Sequence, residues 1–217
     1  GGCCGQGRNG SGMMGSMARA ELELGLHRVV LSLPAVDPDD LIAACEVLWQ
    51  EGHRVWSLPA DRLDEVAGLR SVFGRRARIG VHNILAPEAA AEAVEAGAAM
   101  LACPVADAEV AAAAGGVPVI LGGLTPSELQ AGYRAGASAV QVIPCEAFGS
   151  AYARTLPELL APVPVLAAGR LEHYQADLWL ASGALGVWPS DLVTIDLIVD
   201  ADLDGLRAVA QAWRLGD

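Results

Sequence analysis

The sequence predicts a single compact α/β domain with the (β/α)8 architecture of a TIM barrel. The first observation is a repeat: eight short apolar runs alternate with stretches rich in Ala, Leu and Glu, and successive runs start 18 to 26 residues apart. The second is that each run is mostly apolar, without a strict alternation of apolar and polar residues, which is typical of parallel strands buried on both faces. The third is a Gly-containing segment before five of the runs, where Gly closes the end of a helix.

The predicted strands are the eight apolar runs, taken in chain order. They cover residues 28–33, 54–58, 78–82, 99–103, 117–121, 139–143, 163–167 and 184–188. Eight such units favour a barrel in which every strand is followed by a helix. A doubly wound open sheet is the rival architecture. It often carries a Gly-rich phosphate loop after its first strand, and segment 32–38 contains no Gly.

The starts of the predicted helices are marked by acidic residues and prolines. Segments 37–40 and 86–89 introduce two of them. Thr125, Pro126 and Glu128 form the pattern of a capping box, with the hydroxyl at the cap, Pro in the first turn and the acid three residues after the cap. The last helix is predicted over 203–214, where apolar residues recur on one face.

The N-terminal residues differ in composition from the rest of the chain. Residues 1–17 are rich in Gly and Ser and low in complexity, so they cannot bury enough apolar surface to offset the entropy lost on ordering. We therefore predict a disordered N-terminal extension over residues 1–24 and a barrel domain over residues 25–217.

The composition excludes several classes of partner. The net charge is −12, and such a surface repels nucleic-acid phosphates and anionic lipids, so neither a nucleic-acid nor a membrane partner is expected. The five cysteines are odd in number and show no Cys-x-x-Cys spacing, which predicts reduced thiols and a cytoplasmic protein. We see no pattern of a secretory signal.

The candidate site lies where the strands end, because barrels of this fold place active sites on the loops that follow their strands. The candidate binding residues at these ends are Ser57, Asn83, Cys103, Gln141, Glu146, Gly169, Arg170 and Ser190. A second set, suited to acid–base or nucleophilic chemistry, is His82, Cys103, Cys145 and Glu146. No two members of this set have the spacing of metal ligands, so no metal and no cofactor is expected.

Segment 122–149 carries a resemblance to a known family. Its sequence GGLTPSELQAGYRAGASAVQVIPCEAFG resembles the fifth and sixth units of the 2-keto-3-deoxy-6-phosphogluconate and 4-hydroxy-2-oxoglutarate aldolases, where a Thr-Pro-Ser-Glu segment precedes a Lys-Phe-Phe-Pro-Ala strand end. Weaker matches follow in the family's order at 52–58, 79–88, 95–107 and 163–171. The resemblance spans about 28–214, and it implies a class I aldolase barrel that assembles as a homotrimer.

The resemblance also implies site residues that this chain replaces. The family's Schiff-base lysine falls on Gln141, and its acid–base glutamate falls on Ser57. A carboxamide nitrogen is not nucleophilic, and all 14 basic residues of the sequence are Arg, so no other lysine can take its place. The family's carboxylate loop falls on 168–170. Its phosphate loop falls on 189–191, where Pro lacks an N–H donor and Asp adds negative charge.

Three hypotheses about function remain open. The first is a noncatalytic or re-purposed aldolase homologue, a pseudoenzyme that binds a small carboxylate ligand or acts as a structural trimer or partner. The second is an active lyase or isomerase that uses His82, Cys103, Cys145 and Glu146 at the same barrel mouth. The third is an unrelated (β/α)8 enzyme, such as a phosphate-binding isomerase. Strand alternation predicts that Gln141 faces the barrel mouth, with Ser57, Asn83 or Arg170 as its hydrogen-bond partner, reached directly or through water.

Overall fold

The computed structural model describes residues 19–215, which form the predicted (β/α)8 barrel. Eight parallel strands pair in chain order: β1 (Leu31–Ser32), β2 (Val55–Pro59), β3 (Arg78–His82), β4 (Leu101–Cys103), β5 (Val119–Gly123), β6 (Ala139–Val142), β7 (Val165–Gly169) and β8 (Gly186–Pro189). The sheet closes beside β1, where the N–H of Val30 donates to the carbonyl of Val187 at 3.0 Å. The rival open sheet is therefore wrong.

Helices cover the outside of the barrel. They are α1 (Pro38–Gln50), α2 (Leu63–Phe73), α3 (Pro87–Glu95), α4 (Ala108–Ala113), α5 (Pro126–Arg134), α6 (Gly149–Leu160), α7 (His173–Ala181), α8 (Ile195–Val199) and α9 (Leu203–Ala212). The capping box of α5 is confirmed: the N–H of Thr125 donates to the Glu128 carboxylate at 2.8 Å, and the N–H of Glu128 donates to the Thr125 hydroxyl at 3.4 Å. These bonds satisfy N–H groups that the first helical turn leaves without partners.

Four of the strands, β4, β5, β7 and β8, start two residues later than predicted. Pro118 precedes β5 and Pro164 precedes β7, and proline has no N–H to donate to a sheet. Both prolines still contribute their carbonyl groups, which accept from Leu101 and Val140 at 2.9 Å each. The apolar runs therefore mark the strands correctly but include residues that only lead into them.

The strand side chains divide into two buried clusters. One fills the inside of the barrel and includes Val55, Met100, Ile120 and Leu166. The other lies between the strands and the helices. On β6, Ala139 belongs to the inner cluster, whereas Val140 and Val142 belong to the outer one. Because side chains alternate along a strand, Gln141 faces the inside of the barrel, as predicted.

Helix α9 is anchored to the end of α1 by ion pairs. The carboxylate of Glu51 is only 7% exposed, and it accepts from Nε of Arg207 at 2.9 Å and from a terminal nitrogen of Arg214 at 2.5 Å. Arg214 also donates to the backbone carbonyl of Glu51 at 3.2 Å. One buried carboxylate therefore holds the C-terminal helix against the barrel.

Residues 19–24 belong to the predicted extension and lie against the barrel. The Leu24 side chain is buried in the inner cluster, and Glu23 forms an ion pair with Arg78 at the start of β3. The remaining part of the predicted extension, residues 1–18, lies outside the described residues. Within residues 19–215, no helix has the length and apolar character needed to cross a membrane.

Candidate functional site

A cavity of about 440 Å³ opens at the C-terminal ends of the strands. This volume is in the range of small-molecule sites, and its position is the one that barrels of this fold use for catalysis. Fifteen residues line it, of which the polar ones are Ser32, His82, Asn83, Gln141 and Ser190. None of the fifteen is Arg, Lys, Asp or Glu, so the wall carries no formal charge as long as its histidine is neutral.

Gln141 is the most enclosed polar group in this wall, with 4% of its surface exposed. Its Nε2 donates to the backbone carbonyl of Cys103 at 3.0 Å. None of the expected residues, Ser57, Asn83 or Arg170, is therefore its direct hydrogen-bond partner. The prediction considered only side-chain partners. The backbone carbonyl at the end of β4 is also an acceptor, and it lies within reach of the amide.

Ser57 and His82 form a hydrogen-bonded pair on neighbouring strands. The parallel register sets Pro59 of β2 beside His82 of β3, and the Ser57 hydroxyl lies 2.9 Å from Nδ1 of the imidazole. Ser57 is fully buried behind the ring, which itself lines the cavity. Burial lowers the pKa of His82 to about 4, against a smaller opposing effect of the Asp61 charge. The imidazole is therefore neutral near pH 7.

Asn83, the next residue, has a φ of 58°. Asparagine tolerates this left-handed conformation better than most residues. The turn ends β3 and leaves the exposed Asn83 amide at the rim of the cavity.

Trp188 connects the first and last strands at the cavity floor. Its Nε1 donates to the hydroxyl of Ser32 at 2.9 Å, which ties the end of β8 to the end of β1. The His82 ring meets the indole at right angles, with ring centres 5.9 Å apart. The indole thus supports the imidazole from one side while Ser57 holds it from behind.

The loops after β6 and β7 contact each other outside the cavity wall. The backbone N–H of Arg170 donates to the Glu146 carboxylate at 3.1 Å. Gly169 has a φ of 137°, a conformation that residues with a side chain rarely adopt, and a Cβ at this position would crowd that carboxylate and the backbone nitrogen of Cys145, so the turn favours glycine. The Arg170 side chain is 82% exposed and lies 3.9 Å from the carboxylate of Asp191. It therefore adds no positive charge to the cavity wall.

The thiols near the barrel mouth are shielded. Cys103 is fully buried, and burial raises its pKa. The Cys145 sulfur lies 3.9 Å from the Glu146 carboxylate, and burial together with that negative charge raises its pKa to about 12. Both thiols are therefore protonated at neutral pH, the form that is a poor nucleophile. Neither makes a hydrogen bond to His82.

The structure thus separates the predicted binding residues into three groups. Those that line the cavity are Asn83, Gln141, Gly169 and Ser190. Ser57 and Cys103 lie behind the wall, where each bonds a lining residue, whereas Glu146 and Arg170 lie outside it. Among residues 19–215, no group of three or more His, Cys, Asp or Glu side chains is arranged to hold a metal ion.

Two features of the site were not predicted from the sequence: the contact between Ser32 and Trp188, and the position of Val193. Ser32 and Trp188 stand at strand ends, yet they are 156 residues apart, and only barrel closure brings them together. Val193, in the loop after β8, also lines the cavity, although nothing in its surroundings distinguishes it from a core residue. The pairing of Ser57 with His82 had a usable signal, since both stand near the ends of neighbouring predicted strands.

A comparison with known protein families agrees with the barrel fold. A family model described as KDPG and KHG aldolase matches residues 24–209, which include all eight strands. The chain belongs to this aldolase family. The resemblance first seen in segment 122–149 is therefore confirmed, and the alternative of an unrelated barrel enzyme is wrong.

Two aldolases and one designed protein are similar to the chain over most of its length. 2-Dehydro-3-deoxy-6-phosphogalactonate aldolase of Escherichia coli K12 is 24% identical over 86% of this chain and 94% of that protein. A solved 4-hydroxy-2-oxoglutarate/2-dehydro-3-deoxyphosphogluconate aldolase is 28% identical over 87% and 93% of the two chains, with a TM-score of 0.75. A protein cage designed by fusing symmetric oligomeric domains is 24% identical over 86% of this chain and 72% of its own, with a TM-score of 0.77.

Proposed function

We propose that this member of the KDPG and KHG aldolase family binds a small carboxylic acid in the barrel mouth and does not carry out Schiff-base chemistry. The observation that carries the proposal is the buried amide of Gln141, on the inner face of β6, where the resemblance expects the family's lysine. A carboxamide nitrogen cannot add to a keto group to form an iminium ion. Since the sequence contains no lysine, no other side chain supplies the amine.

The walls of the cavity support a binding role. His82, Ser32 and Asn83 bring imidazole, hydroxyl and amide groups to one apolar cavity, and such neutral groups can donate hydrogen bonds to a carboxylate. Gln141, Gly169 and Ser190 complete the lining, and within the proposal they contact the ligand directly.

Two residues of the predicted binding set act from behind the wall in this proposal. Ser57 orients the imidazole of His82, and the carbonyl of Cys103 orients the amide of Gln141. Glu146 and Arg170 hold the two adjoining loops together instead of touching the ligand.

An active lyase or isomerase built on His82, Cys103, Cys145 and Glu146 is less well supported. Such a site needs a thiol activated by a neighbouring base. Both thiols have raised pKa values, and the hydrogen-bond partner of His82 is the hydroxyl of Ser57. The geometry therefore supports the noncatalytic hypothesis over this one.

We also infer that the protein assembles as a homotrimer in the cytoplasm, as the resemblance implies. An exposed apolar surface supports association: Phe148 is 52% exposed, and with Tyr152 and Pro126 it lines a shallow depression between α5 and α6. Exposed apolar patches on soluble proteins commonly mark interfaces. Light scattering at micromolar concentration should give three times the mass of one chain, and a monomeric mass would contradict the inference.

A thermal-shift screen tests ligand binding. Because a ligand that binds only the folded state stabilises it, small 2-oxo and 2-hydroxy acids at millimolar concentration should raise the Tm. The matched amides and esters, which lack the carboxylate, serve as controls. A panel of three- to six-carbon acids that leaves the Tm unchanged would contradict the proposed function.

A further inference from the structure

We propose that the cavity selects a 2-hydroxy acid over the corresponding 2-oxo acid, because Gln141 presents a hydrogen-bond acceptor to the ligand. This inference rests on the proposed function, since it specifies which small acid the site takes. Three groups in the wall determine the selectivity by donating or accepting hydrogen bonds: the amide of Gln141, the imidazole of His82 and the hydroxyl of Ser32.

The orientation of the Gln141 amide follows from its partner. The backbone carbonyl of Cys103 can only accept, so the amide atom 3.0 Å away from it must be the nitrogen Nε2. That leaves Oε1 as the other end of the group. No residue in the range 19–215 donates a hydrogen bond to this oxygen, and the side chain lines the cavity. The side of the cavity formed by β6 therefore presents Oε1 of Gln141 as a hydrogen-bond acceptor that a ligand can satisfy.

The orientation of the His82 imidazole follows in the same way. Ser57 is fully buried, and Nδ1 of His82 is the one acceptor that its hydroxyl reaches among the described residues. A buried hydroxyl hydrogen without an acceptor is costly, so Ser57 donates and Nδ1 accepts. In the neutral ring the proton then resides on Nε2. Burial keeps the ring neutral, with a pKa of about 4. His82 thus offers an N–H donor.

Ser32 adds a second donor on the same side. Its oxygen accepts from Nε1 of Trp188, so its own hydrogen is free to point at a ligand. Strands β1 and β3 carry these donors, while β6 carries the acceptor. The two sides of the barrel mouth therefore differ in polarity.

A ligand must match both sides. A carboxylate accepts from His82 and Ser32, which leaves the substituent at C2 toward Gln141. A 2-oxo group has only an acceptor oxygen there, and it would face Oε1 without a hydrogen between them. A 2-hydroxyl group donates to that oxygen. Sites whose buried polar group needs a ligand hydroxyl discriminate strongly against analogues without it.

Calorimetric titration of the wild-type protein with matched pairs tests this inference. The probes are lactate against pyruvate and 2-hydroxyglutarate against 2-oxoglutarate, with both enantiomers of each hydroxy acid. The expected result is a Kd about tenfold or more lower for one hydroxy enantiomer than for its oxo partner. Gln141→Met removes the acceptor at similar volume and should abolish the preference. Gln211→Leu, at an exposed position of α9, should retain it.

The possible outcomes separate the two proposals. Equal affinities, or tighter binding of the oxo acids, would overturn the hydroxyl preference and leave the proposed function standing. A preference that survives in Gln141→Met would overturn the role of this residue. The wild-type comparison requires no variant to fold. If neither member of either pair binds, small-acid binding itself fails, and the inference fails with it.

Discussion

The Ser57 hydroxyl contacts Nδ1 of His82 at 2.9 Å, and the two residues lie on the neighbouring strands β2 and β3. Together with the right-angle contact between His82 and Trp188, this bond fixes the imidazole both in position and in tautomer. The side chain that replaces the family's expected glutamate therefore does not move protons itself. It orients a neutral ring whose remaining nitrogen is available to the cavity.

Stability should fall as the pH drops from about 6.5 to about 4. An unfolded histidine protonates near pH 6.5, whereas folded His82 stays neutral down to a pKa of about 4. Between these values the unfolded state binds more protons, so protonation favours unfolding. The contribution is complete above pH 6.5, amounts to roughly 3 kcal/mol, and is lost by about pH 4. Urea unfolding at several pH values measures it.

The His82→Gln variant is the control for this pH dependence. It removes the titrating group, so its stability curve should be flatter than that of the wild type over the same range. His53, whose pKa burial also lowers, continues to contribute in the variant, so some slope remains. Identical slopes in the two proteins would show that His82 titrates normally in the fold.

Borohydride in the presence of pyruvate should leave no adduct within the wild-type chain. Reduction traps an imine on an amine, and the N-terminus is the one amine available in this sequence. Intact-mass and peptide mass spectrometry make the measurement. An adduct on an internal residue would contradict the assignment of Gln141.

The Gln141→Lys variant is the positive control for borohydride trapping. A lysine on the inner face of β6 is desolvated, which lowers its pKa and leaves part of it as the nucleophilic amine near neutral pH. We expect an adduct with pyruvate at residue 141. Gln211→Lys, on the exposed face of α9, should react far less because its pKa stays ordinary. Equal labelling of the two variants would contradict the inward register.

The thiols of Cys103 and Cys145 should react slowly with a thiol reagent such as Ellman's reagent. Both side chains are buried, and both pKa values are raised, so little thiolate exists at pH 7 to 8. A Cys3→Ser/Cys4→Ser background removes the two cysteines outside the described residues. We expect rapid labelling only in denaturant. Fast labelling of the folded protein would support the hypothesis of a thiol-based active site.

Glu51→Ala should lower the free energy of unfolding by about 2 kcal/mol, because it removes the carboxylate that pairs with Arg207 and Arg214. Both arginines are partly exposed, which limits the cost of leaving them unpaired. Chemical denaturation measures the change. The exposed Glu158→Ala on α6 is the control and should change stability by less than about 0.5 kcal/mol. Similar losses of stability in both variants would contradict a stabilising role for the ion pairs of Glu51.

Much of the barrel could be predicted because its signals are local. A strand that is buried on both faces consists mainly of apolar residues. A helix start must satisfy its free N–H groups, as Thr125 and Glu128 do for α5. Alternation along β6 likewise determined that Gln141 faces inward. The position of the cavity followed from the fold, since parallel strands of a barrel all end at one face.

The contacts within the site were decided only by the tertiary structure. Gln141 pairs with a backbone carbonyl 38 residues away, and the Trp188–Ser32 bond forms only when the last strand meets the first. The exposed side chain of Arg170 lies near Asp191 and does not line the cavity, while its backbone N–H bonds the Glu146 carboxylate. The sequence by itself determined the barrel, its inward-facing positions and the absence of lysine. Folding decided which polar groups satisfy each other and which remain for a ligand, because that depends on distances between strands that no local pattern records.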